Sequence, residues 1–164
     1  MKKLLHEIFI DGLSGMATGL FATLIIGTII VQISTLIPAP MGSYIFLCGK
    51  LAMALTGAGI GVGVASRLKS SPMVLVSAIA AGMIGAYASK ISAAVKAAAL
   101  KTFFDANTTH LISVGEPLGS FLAVLTAVYI GKLVSGRTPV DILVTPLVTI
   151  GSGVLLAMSI APGI

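Results

Sequence analysis

Long apolar runs separated by short polar breaks dominate the chain. No charged side chain occurs from Gly12 to Gly49, and none from Ile142 to Ile164. A membrane-crossing helix needs about 20 mainly apolar residues, and both runs supply that. The pattern predicts an all-α integral membrane protein, a single membrane domain over residues 1–164 with about five transmembrane helices.

The predicted spans are 13–37, 43–66, 72–89, 117–135 and 138–161. Span one stops at Pro38-Ala39-Pro40, where a helix cannot continue. Span three opens at Ser71-Pro72, a helix-start pair with proline at the first helical position. Span five opens at Thr138-Pro139-Val140-Asp141, which has a capping-box layout with Asp141 at the third position. Pro146 inside that span is expected to kink or break the helix. Leu4 to Ile10 reads as a short surface helix, and insertion through the first span is expected rather than a cleaved leader.

Residues 90–116 depart from the pattern. They carry Lys90, Lys96 and Lys101, then Asp105, Asn107, Thr108, Thr109 and His110. So many polar groups predict an interfacial or re-entrant segment rather than a further span.

Composition agrees. The chain is 57% hydrophobic and 9% charged, with a mean hydropathy of +1.12, against roughly 25% charged residues in soluble domains. The net charge of +5 does not indicate nucleic acid, because the basic residues fall in inter-helix turns without an aromatic platform. They report orientation instead. A cytoplasmic N-terminus places Lys2, Lys3, Arg67, Lys69, Lys132 and Arg137 inside, and Tyr44 and Tyr87 at the outer interface. The single Cys48 excludes an internal disulfide and a cysteine-rich metal site.

The candidate chemistry is that of binding. Glu116 opens span four within Gly115-Glu116-Pro117-Leu118-Gly119, where the positive end of a helix can hold a carboxylate that accepts hydrogen bonds from hydroxyls. Thr145 and Thr149 flank the expected break at Pro146, where freed carbonyl groups must face protein, water or solute. Asp141, Lys50, His110 and Asn107 complete the candidate substrate-binding set, with Asp141 also explained as a cap and Lys50 as a snorkelling side chain. Gly57-Ala58-Gly59-Ile60-Gly61-Val62-Gly63 reads as a close-packing face or as a backbone lining a path. No catalytic grouping, phosphate-binding glycine loop, metal-ligand spacing or cofactor motif is visible in the sequence.

Three stretches carry a family resemblance. They are Asp11-Gly12-Leu13-Ser14-Gly15-Met16-Ala17, Gly115 to Gly119, and Val140-Asp141-Ile142-Leu143-Val144-Thr145-Pro146-Leu147-Val148-Thr149. Together they resemble the IIC-type membrane proteins of the bacterial sugar phosphotransferase system, in the branch of perfringolysin-regulator-like proteins. The resemblance implies a cell-membrane permease unit moving a small polar solute, a sugar among the candidates, linked to phosphotransferase components. A non-transporting regulator or sensor is the alternative. Family members continue with a second membrane half, so the chain resembles an N-terminal half that pairs, either as a homo-oligomer or with a missing second half. An odd number of crossings would invert that second half.

Overall fold

The computed structural model describes residues 6–96 and 114–160. Helix α1 is Ile8–Ser34, 27 residues and about 40 Å at 1.5 Å per residue. Two bent pairs follow: α2 (Met41–Ala54) with α3 (Thr56–Arg67), bent by 49°, and α4 (Pro72–Ala86) with α5 (Ala88–Lys96), bent by 57°. Helices α6 (Pro117–Val134) and α7 (Asp141–Ile160) form an antiparallel hairpin. Among the described residues three helices are long and apolar enough to cross a membrane, or up to five if each bent pair counts as one span. The described residues form an all-α membrane protein.

Helices α3, α4, α6 and α7 pack around a small-residue core, in which Ile60, Val64, Val74, Val124 and Val128 are fully buried, and the first half of α1 packs on α3. The second half of α1 pairs mainly with α2, leaving Phe21, Ile29, Tyr44, Leu47 and Leu51 exposed for lipid. Lipid tails are as apolar as leucine, so hydrophobicity alone does not drive helices together inside a membrane. Backbone contact does. A Cβ at Gly15 would lie 2.5 Å from the Gly63 carbonyl oxygen, and Gly19 faces Gly59 in the same way. The Gly57–Gly63 stretch therefore packs against α1 on one side and, through Gly57 and Gly61, against Gly82 and Ala78 of α4 on the other.

The structure shifts several elements from their expected places. The expected surface helix at Leu4 to Ile10 is, from Ile8 onward, the start of α1, and its first turns are of the wider π type over Glu7–Gly12. Residues 1–5 and 97–113 lie outside the described residues, and with them Lys101, Asp105, Asn107 and His110. Ser71 stands at the start of α4 as expected, but its hydroxyl pairs with that of Ser135 at 2.8 Å instead of capping its own helix.

The capping box of span five does not form. Helix α7 begins at Asp141, and the Thr138 hydroxyl is buried without a hydrogen-bond partner. Asp141 instead accepts from the Gly136 backbone N–H at 2.9 Å and from the Thr145 hydroxyl at 2.5 Å. Pro146 does not break the helix, which runs on to Ile160. At the sixth position of α7 its missing N–H strands only the carbonyl of Ile142, an exposed residue in the first turn.

Candidate functional site

The two bends occur at one level. Leu55 and Tyr87, the residues between the paired half-helices, have ψ of 10° and 12°, backbone that ends a helix rather than continuing it. The facing glycines fix their depth. Gly19 of α1 meets Gly59, and Gly27 meets Gly49 and Met53, so Leu55 falls opposite the middle of α1. Gly57 meets Gly82 and Ala86, which sets Tyr87 beside the same level. Helix α1 itself widens to π geometry there, over Phe21–Ile25.

Glu116 begins α6 at that level. Its backbone N–H donates to the Ala86 carbonyl at 2.8 Å, taking a carbonyl at the very end of α4. Gly115 makes this possible, because a Cβ there would sit 2.6 Å from the Ala86 Cβ. The Glu116 backbone is extended, Pro117 holds the first helical position, and the carboxylate makes no capping bond to its own helix. It turns to α5 instead, where Oε1 accepts the Ser89 hydroxyl at 2.6 Å.

Two further bonds tie the level together. The Tyr87 hydroxyl, on a side chain only 3% exposed, donates to the Ala54 carbonyl at 3.5 Å. The Ser120 hydroxyl donates to the Gly57 carbonyl at 3.3 Å. Ala54 ends α2, and a carbonyl released at a helix end needs a donor inside a membrane, which the Tyr87 hydroxyl offers; the Ser120 bond adds a tie from α6 to the first turn of α3. The sequence reading of Tyr87 as an interfacial anchor is thereby corrected. Its side chain is buried at the second break, with the Lys90 ammonium 5.4 Å from its ring centre, while Tyr44 is exposed.

The other expected site residues lie elsewhere. From Glu116 to Gly131 along α6 is about 22 Å, and it is at the Gly131 end that Thr149 packs, its hydroxyl against the glycine Cα. Thr149 Oγ1 is buried without a partner, and Thr145 is bound to Asp141 one turn earlier. Lys50 lies on α2, its ammonium 5.5 Å from the centre of the Phe46 ring. Thus Asp141, Thr145 and Thr149 form one group, Glu116 another, and Lys50 joins neither. Sequence reasoning missed Ser89, Ser120 and the inward Tyr87, since single hydroxyl residues in an apolar run give no signal of what they face.

Among the described residues no group of three His, Cys, Asp or Glu side chains could hold a metal ion. The Glu116 carboxylate is a hydrogen-bond acceptor for hydroxyls, as its bond from Ser89 shows. A carboxylate offers about four acceptor positions, and Ser89 occupies one. It stands at the positive end of α6, beside the break between α4 and α5.

Comparison with known families agrees with this architecture. The family described as "Phosphotransferase system, EIIC" matches residues 10–164. The chain belongs to that family. A search of curated proteins and one of solved structures each returned no match. As an EIIC chain it is a multi-pass protein of the cell membrane and a transport component of the phosphotransferase system, working with that system's other components. EIIC domains are transport components and not catalysts in themselves.

Proposed function

We propose that this EIIC chain is a permease unit that moves a small hydroxyl-rich solute, a sugar or polyol, across the membrane by alternating access. Glu116 is the residue that recognises it. The observation that carries this reading is the meeting of the Glu116 carboxylate and the Ser89 hydroxyl beside the breaks at Leu55 and Tyr87. A partly buried carboxylate inside an apolar helix bundle is costly and is retained where it serves a path or a ligand. Broken helices also provide the hinges that alternating access requires, because their two halves can tilt separately.

Thr149 is a second contact point in this reading, because its hydroxyl is buried and unused. Asp141 and Thr145 hold the turn before α7 and do not meet the solute in this reading. The basic end of the bundle, with Arg67, Lys69 and Lys132, faces the cytoplasm together with the N-terminus, as the excess of basic residues in short loops favours.

Flux tests the proposal. Full-length protein in proteoliposomes, with the phosphotransferase components supplied inside, should take up a labelled sugar or polyol from a panel, and Glu116→Gln should abolish uptake while leaving the helical signal intact. Binding without uptake of any solute would favour the regulator or sensor instead.

A further inference from the structure

At the end of the bundle where α1 begins and α3 and α6 end, a cleft of about 210 Å³ is lined by Asp11, Arg67, Leu68, Lys69 and Lys132. It lies at the opposite end of α6 from Glu116 and is separate from the solute site. Three cations face one carboxylate there, which leaves an excess of two positive charges.

Two features show that these cations are positioned. The Lys132 ammonium donates to the Leu68 carbonyl at 2.8 Å, crossing from α6 to the end of α3. That bond uses one of its three N–H groups and fixes the direction of the others. Lys69 has φ of 52°, the left-handed region, and is the only non-glycine residue in that region among those described. Its N–H bonds to the Ser66 carbonyl and the next N–H, of Ser70, to the Ala65 carbonyl. This is the helix-ending motif whose left-handed position normally holds glycine, because a Cβ there is strained. A lysine in place of glycine costs stability, and here its side chain lies in the wall of the cleft. The Ser71–Ser135 hydroxyl pair fastens the two turns on either side of the cleft.

We propose that this cleft binds a phosphate ester carrying a hydroxyl group close to the phosphorus. Arg67, Lys69 and Lys132 take the phosphate oxygens, since charge-assisted bonds from guanidinium and ammonium groups suit them. Asp11, which can only accept hydrogen bonds when ionised, takes the neighbouring hydroxyl and disfavours bare inorganic anions. Two sources present this chemistry at a membrane surface: the headgroup of phosphatidylglycerol and a soluble phosphorylated polyol.

The test uses the full chain in nanodiscs, with thermal unfolding as the readout. One arm compares phosphatidylglycerol with phosphatidylcholine discs. The other adds glycerol 3-phosphate or inorganic phosphate to phosphatidylcholine discs. Saturable stabilisation in the first arm assigns the lipid, and in the second the soluble ester. Lys69→Gly is the decisive variant, because relief of the left-handed strain should keep or raise the unliganded unfolding temperature while weakening the ligand about tenfold. Asp11→Asn should remove the preference for glycerol 3-phosphate over inorganic phosphate. No saturable shift with any probe, or wild-type affinity in Lys69→Gly, would overturn the proposal.

Discussion

Ser89 donates a 2.6 Å hydrogen bond to Glu116, joining residues 27 positions apart at the starts of α5 and α6. This bond holds the carboxylate beside the break at Tyr87 and uses one of its acceptor positions. Ser89→Ala should weaken solute binding, and Glu116→Gln should remove it. The two changes act through one interaction, so the double variant should be no worse than Glu116→Gln alone. Titration calorimetry on the single and double variants checks this, and simple additivity would mean that the two residues act independently.

Packing between α1 and α3 depends on missing side chains. Gly15→Ala directs a Cβ to within 2.5 Å of the Gly63 carbonyl oxygen, a backbone atom that cannot move aside cheaply. It should destabilise the protein by about 1–3 kcal/mol. Gly151→Ala places its Cβ in open space on α7 and should be neutral, or stabilising by up to about 1 kcal/mol from helix propensity. Thermal unfolding in one detergent compares the pair directly.

The two polar groups along α6 should separate by their effects. Asp141→Ala releases the Gly136 N–H and strands the buried Thr145 hydroxyl. Its unfolding temperature should fall while solute affinity is kept. Equal losses of stability and binding would place Asp141 in the solute site after all.

Orientation gives a further test. In a Cys48→Ser background, a cysteine at Lys69 should react with a membrane-impermeant maleimide only when the cytoplasmic side is open to reagent. Labelling in intact cells would reverse the assigned topology.

The apolar runs made the helical membrane class readable, because no soluble surface can be built from so few charges. The helix start at Pro117 was readable for a local reason, since proline fixes the backbone of the first turn. The breaks were not. Leu55 and Tyr87 are neither proline nor glycine, and Ala54, Ala86 and Ala88 beside them are ordinary helix formers. The groups that meet the bends are tertiary: the Glu116 N–H bonds the Ala86 carbonyl, and the Tyr87 hydroxyl lies 3.5 Å from the Ala54 carbonyl. Pro146, the local signal that did suggest a break, sits too near the start of α7 to cause one. Glu116 stood out in the sequence as a rare charge beside proline, whereas Ser89 acquires meaning only once the chain is folded.

The central claim is that Glu116 recognises solute at the level of the breaks. The most direct measurement is a ligand-induced stability screen of wild type and Glu116→Gln across sugars and polyols, since a ligand of the native state raises apparent stability once it exceeds its dissociation constant. The account predicts that at least one hydroxyl-rich solute stabilises the wild type and has no effect on Glu116→Gln, with both proteins equally folded without ligand. Equal stabilisation of the two proteins by the same solute would contradict it.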